Sequence, residues 1–227
     1  MPTVSVRGLA REYKQGDHIV HALRGVDLDI ESGEFTVLMG PSGSGKTTLL
    51  NLIGALDEPT AGTVTIDGND LGGLKSGKRA DLRLEQLGFV FQSYNLIPVL
   101  TAYENADFVL MLRGVPPAER KQRVMETLKA VGLEGLENRR PNQLSGGQQQ
   151  RVAVARAIAG NPALVLADEP TANLDSKTSG ELIDLMKQLN VEQGVTFLFA
   201  THDPSVMAAA KRVVRLVDGR IEEDERR

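Results

Sequence analysis

Phe35-Thr36-Val37-Leu38-Met39-Gly40-Pro41-Ser42-Gly43-Ser44-Gly45-Lys46-Thr47-Thr48-Leu49-Leu50-Asn51-Leu52-Ile53 holds an apolar run of strand length, a glycine-rich loop and the opening turns of an apolar helix. The loop fits G-x-x-x-x-G-K-[ST] in full, in the strand–loop–helix setting that the motif requires. Its glycines let the backbone curl so that successive N–H groups point at one centre, and the helix behind it adds about half a positive charge at its N-terminus. Gly40, Pro41, Ser42, Gly43, Ser44, Gly45, Lys46, Thr47 and Thr48 are therefore expected to cradle a nucleoside triphosphate. Lys46 would reach the β- and γ-phosphates, and the Thr47 hydroxyl is set as a Mg²⁺ ligand.

Working outward, further short apolar runs at Gly88 to Phe91, Ala163 to Ala167 and Val195 to Ala200 alternate with helical periodicity, which predicts an α/β fold with a largely parallel sheet. From Ser176 to Asn190, Leu182, Ile183, Leu185, Met186 and Leu189 recur at helical spacing, with Gly194 as the stop. The opening third differs: Val4 and Val6, Ile19 to Leu23, Val26 to Ile30 and Thr63 to Ile66 read as antiparallel strands, with turns at Glu31-Ser32-Gly33 and Asp67-Gly68. Between Thr101 and Arg140 the pattern is helical only, with a Pro116-Pro117 start, and reads as a helical lobe inserted into the core. Glu222 to Arg227 reads as a solvated, charged end.

The run ending at Ala167 carries two adjacent carboxylates, Asp168 and Glu169. Ligands of such sheets gather at the carboxyl ends of strands, so both would emerge beside the phosphates. Side chains alternate along a strand, which gives the two different tasks: Asp168 toward Mg²⁺, Glu169 toward the attacking water as general base. Ser145-Gly146-Gly147-Gln148 opens another helix, with Ser145 as N-cap and two glycines that allow close backbone approach; it is a second helix end suited to an anion.

Composition bounds the alternatives. The 227 residues include 26 Lys plus Arg and 30 Asp plus Glu, a net charge of −4 with no long basic run, so no nucleic-acid partner is expected. Absence of cysteine removes disulfides, thiolate metal sites and a cysteine nucleophile. The longest uncharged stretch, Gln86 to Tyr103, contains Gln92, Ser93, Asn95 and Pro98 and is no membrane span. The N-terminus has no apolar leader, so a cytoplasmic chain is expected.

With Leu144-Ser145-Gly146-Gly147-Gln148 as its signature, the chain resembles the ATP-binding subunits of ABC transporters over nearly its whole length. The resemblance implies a P-loop NTPase cassette: a RecA-like core (1–92 and 158–227), an antiparallel β subdomain and a helical subdomain inserted at about 93–157. It implies an ATP hydrolase using ATP and Mg²⁺, with Tyr13 stacked on adenine, Gln92 touching Mg²⁺ and water, His202 contacting the γ-phosphate and Asp175 in the loop beside the nucleotide. It further implies that two cassettes pair head to tail, each ATP lying between the phosphate loop of one and Ser145 to Gln148 of the other. Leu50 to Asp57, Gly88 to Pro98 and Pro141-Asn142-Gln143 resemble the subfamily of lipoprotein-release, macrolide-export and FtsE-type division cassettes. A separate transmembrane permease is then the expected partner, holding the chain at the inner face of the membrane and docking near Ser93 to Met111. A signalling division cassette is the alternative. The interval from Lys46 to Leu144 is too short for the coiled-coil insertion of chromosome-structure ATPases, and a small kinase has no need of the signature.

Overall fold

The computed structural model describes residues 2–16 and 18–227. In chain order the elements are β1 (Val4–Gln15), β2 (His18–Ile30), β3 (Phe35–Met39), α1 (Lys46–Ile53), β4 (Ala61–Ile66), β5 (Asn69–Asp70), α2 (Ser76–Gln86) and β6 (Leu87–Phe91). There follow α3 (Ala102–Leu112), α4 (Pro117–Ala130), a 3₁₀ turn at Pro141–Gln143, α5 (Gly146–Ile158), β7 (Leu164–Asp168), α6 (Ser176–Gln193), β8 (Phe197–Ala200), α7 (Pro204–Ala209), β9 (Arg212–Val217) and β10 (Arg220–Arg226).

Two sheets form. A four-stranded antiparallel sheet runs β2-β1-β4-β5, and a six-stranded sheet runs β10-β9-β3-β8-β7-β6, parallel from β9 to β6 with β10 antiparallel at its edge. Because both faces of the parallel sheet are covered, its strands are continuous apolar runs rather than alternating ones. Phe35, Val37, Val165 and Ala167 pack on one face with α3 to α6, while Leu38, Leu164 and Leu166 pack on the other with α1 and the antiparallel sheet. The first of these cores is continuous: it extends from the sheet through Val152 and Ala155 of α5 to Ala106 and Leu110 of α3 and Val124 and Leu128 of α4.

Helix ends follow local chemistry. Thr101 and Glu104 form a reciprocal capping box on α3, Ser145 and Gln148 another on α5, Pro117 opens α4, and Gly194 closes α6 in the left-handed region.

Two sequence expectations are corrected. Ile19 to Leu23 and Val26 to Ile30 belong to one long strand, β2, whose register against β1 shifts near Gly25 (φ 85°), so the glycine absorbs a bulge rather than a turn. Glu222 to Arg227 is not a free end: through Arg226 it belongs to β10, with Asp224 opposite Val214. Its side chains are largely exposed as the charges suggest, but its backbone completes the sheet edge.

Candidate active site

Strand order assembles the site. β3, β8, β7 and β6 are neighbours, and their registers level Leu38 with Ala200, Ala200 with Asp168, and Asp168 with Phe91. The residues that leave this row are the phosphate loop after β3, Thr201 and His202 after β8, Glu169 after β7 and Gln92 after β6. Four segments far apart in sequence thus emerge side by side at the carboxyl edge of one sheet.

They surround a cleft of about 670 Å³ whose walls include Gly40 to Gly43, Gly45 to Thr48, Gln92, Glu169, Ala172 and His202. Gly40 and Gly45 have φ of 153° and 105°, and a Cβ would lie 2.0 Å from the Leu216 carbonyl oxygen at the first and 2.6 Å from that of Ala22 at the second. Only glycine fits at either position. Lys46 Nζ donates to the carbonyls of Gly40 (2.7 Å) and Pro41 (3.0 Å), spanning the loop. Ser44, 2% exposed, lies behind the loop, and its Oγ finds no hydrogen-bond partner among the described residues. A glycine cradle, a lysine held across it and the uncapped N-terminus of α1 fit a polyphosphate.

Beside the cradle, Thr47 Oγ1 donates to Asp168 Oδ1 at 3.3 Å. Burial pushes the Asp168 carboxyl above the ordinary carboxylate range; the Thr47 bond and Lys46 pull it down, and Glu169 pushes it up. A divalent cation between a hydroxyl and such a carboxylate offsets that burial cost, so the donor set fits Mg²⁺. Glu169 has φ 45°, the left-handed region, where a non-glycine residue costs about 1–3 kcal/mol. Its backbone N–H donates to the Ala200 carbonyl (2.9 Å), Thr201 Oγ1 donates to its Oε2 (2.9 Å), and His202 Nδ1 lies 2.7 Å from its Oε1. When Glu169 is ionised, Nδ1 carries the proton in this contact. The arrangement can hold a polyphosphate and present a clamped carboxylate to water at its end.

Other expected residues sit elsewhere. Tyr13 lies outside the cleft's lining: its hydroxyl donates to Asp57 Oδ2 (2.7 Å), and the Arg11 guanidinium stands 4.6 Å over its ring. The cleft wall on that side is Val20, His21 and Ala22 of β2, and Tyr13 has its hydroxyl and one ring face engaged. Asp175, expected near nucleotide, caps α6, accepting from the N–H groups of Lys177 (3.1 Å) and Thr178 (3.0 Å) and from Thr178 Oγ1 (2.6 Å). Ser145, Gly146, Gly147 and Gln148 are at the start of α5, outside the lining of this cleft. There a Cβ on Gly147 would meet Thr178 Cγ2 at 2.4 Å, and one on Gly146 would meet the Tyr94 hydroxyl at 2.9 Å.

Sequence reading missed Thr201, fully buried, which clamps Glu169 and accepts the Asp203 N–H (3.0 Å). Its signal was its place between β8 and His202. His21 also lines the cleft and lies 2.9 Å from Glu12.

Comparison with known proteins gives these features a family. The ABC transporter family model matches residues 23–172. The chain is 49% identical over 224 residues to the lipoprotein-releasing system ATP-binding protein LolD of Anaeromyxobacter dehalogenans, covering 98% of this chain and 94% of that one. It is 45% identical over 225 residues to the macrolide export ATP-binding/permease protein MacB 1/2 of Paracoccus denitrificans, covering 99% of this chain and 34% of that longer one. Among solved structures, the ATP-binding cassette MJ0796 of Methanocaldococcus jannaschii, a dimer in a post-hydrolysis state bound to ADP and Pi, matches with a TM-score of 0.89 at 47% identity over 98% of each chain. With motif order, strand topology and a relative caught after hydrolysis all in agreement, the chain belongs to the ABC transporter family as one of its ATP-binding, ATP-hydrolysing subunits.

Proposed function

We propose that this subunit powers a separate transmembrane permease of the lipoprotein-release or macrolide-export type, and that two copies close head to tail around ATP. The observation that carries the reading is the presence of two anion-suited surfaces on one chain. The cleft has lysine and acid groups, while the capped, glycine-flanked start of α5 lies outside that cleft. Each would complete the other only across a pair of chains. The unit of action would be residues 1–227, with the helical segment 93–157 inserted between 1–92 and 158–227.

Within each site Lys46 would steady the β- and γ-phosphates, Thr47, Asp168 and Gln92 would hold Mg²⁺, and Glu169 would accept the proton of the attacking water. His202 keeps Glu169 oriented and reaches the γ-phosphate, and Ser145 to Gln148 of the second copy supply N–H groups to it. When bound, Mg²⁺ would supply positive charge against that of the phosphate oxygens. Adenine would rest on Val20 and the remaining face of Tyr13. Closure would follow because nucleotide bound across the seam has differential affinity for the closed state, and hydrolysis would release it.

No helix among the described residues is long and apolar enough to cross a membrane. The chain would therefore sit at the inner membrane face through its permease. The docking surface would include Val99, 71% exposed, and the exposed Met111 and Leu112. The lipoprotein and macrolide relatives favour an export-type machine over division signalling.

Glu169→Gln tests the reading. Hydrolysis should fall by about 10²- to 10⁴-fold while ATP still binds, and light scattering should show an ATP-dependent dimer. Turnover at the wild-type rate by a strict monomer would refute it.

A further inference from the structure

Gln150 lies one turn into α5 and is fully buried, yet it carries an amide in a stretch otherwise packed with Val152, Ala153, Val154 and Ala155. A buried amide on an apolar helix face is costly unless its hydrogen bonds serve something. Its Nε2 donates to the Pro170 carbonyl (2.6 Å) and to the Phe91 carbonyl (3.3 Å). Its Oε1 has no hydrogen-bond partner among the described residues, so the site uses only the donor end. The two acceptors are telling: Phe91 immediately precedes Gln92, and Pro170 immediately follows Glu169. A second bond joins the same two segments, from Asn173 Nδ2 to the Gln92 carbonyl (2.9 Å).

We infer that Gln150 is a positioning residue that ties the signature helix to the two turns presenting Gln92 and Glu169. Glu169 stands in a strained backbone conformation that the surroundings must hold, and the Pro170 carbonyl is the nearest main-chain handle on its C-terminal side. The start of α5 and the hydrolytic carboxylate are thereby connected through one side chain. Under the reading proposed above, the start of α5 serves the nucleotide bound mainly by the facing copy. Engagement of one nucleotide then braces the machinery around the other, within one rigid helix and two hydrogen bonds. A displacement of a catalytic group by about 1 Å costs on the order of 10²-fold in rate, so loss of the brace should be visible.

The test is Gln150→Met, close in length and without the donor, with Gln150→Leu as a second variant. ATP hydrolysis by the full chain should lose at least about tenfold in kcat with KM changed less than about twofold. The Kd for a fluorescent ATP analogue should stay near the wild-type value. Combined with Glu169→Gln, Gln150→Met should add no further loss to the single-turnover rate, because the group it positions is gone. Wild-type kcat in either variant overturns the inference. So does an equal further loss on the Glu169→Gln background, a parallel collapse of kcat and nucleotide affinity, or failure of both variants to fold. The inference rests on Glu169 as the base, and the outcomes separate the two: an active Glu169→Gln chain sinks that assignment, whereas an inactive one beside an unaffected Gln150→Met sinks only this one.

Discussion

Arg212 is 6% exposed and sits between carboxylates: Nε and Nη2 donate to Asp224 at 2.8 and 2.7 Å, and Nη1 donates to Glu34 at 2.9 Å. The bonds from Arg212 hold the Asp224 carboxyl below the ordinary carboxylate range, with burial opposing them. A carboxyl lowered in the fold adds stability above its unfolded value of about 3.9, and that stability is lost as the pH falls through the lower folded value. Asp224→Asn should lower the urea midpoint at pH 7 by the equivalent of at most about 1 kcal/mol, since the group is partly exposed and screened. The gap to wild type should narrow as the pH falls below about 4; a gap that stays constant from about pH 7 to about pH 2 in urea titrations contradicts the assignment. Lys46, Thr47, Asp168 and Glu169 were legible as a site at this scale because motif spacing and strand ends fix where such residues emerge. The bond from Tyr13 to Asp57, 44 positions away, is one that no local pattern encodes.

The signature glycines show why an element is more than its residues. Flexibility and anion affinity explain Gly147 from sequence, but in the fold it is also the contact point of α5 with α6, where Thr178 Cγ2 fills the space a Cβ would need. Gly147→Ala should destabilise the chain by roughly 1–3 kcal/mol through overpacking. Thr178→Ser removes the offending methyl while keeping the hydroxyl that donates to Asp175, so the double variant should recover most of the loss in thermal melts. No recovery would place the clash elsewhere. Buried strands and α6 were readable because their apolar runs and periodicity are strong. By contrast, α2 buries only Leu82, and β10 is an edge strand dressed in charge, so neither carries a hydrophobic pattern to read. The break between Ile19 to Leu23 and Val26 to Ile30 is a bulge at Gly25, which interrupts the apolar pattern without ending the strand.

At the scale of the whole molecule, the mixed sheet gathers four loops at one edge, whereas the pairing proposed for Ser145 to Gln148 came from the family resemblance. The inserted helices were foreseen as a lobe, but their side chains share one apolar interior with the sheet, from Phe199 through Val154 to Leu128. Heat should therefore be absorbed in a single cooperative transition rather than in two, with the calorimetric and van't Hoff enthalpies agreeing. Two resolved peaks in differential scanning calorimetry would mean that the lobe melts by itself. A protein joined in this way resists piecemeal unravelling, and a protease offered the native chain would find the connection between sheet and lobe no easier to cut than either partner.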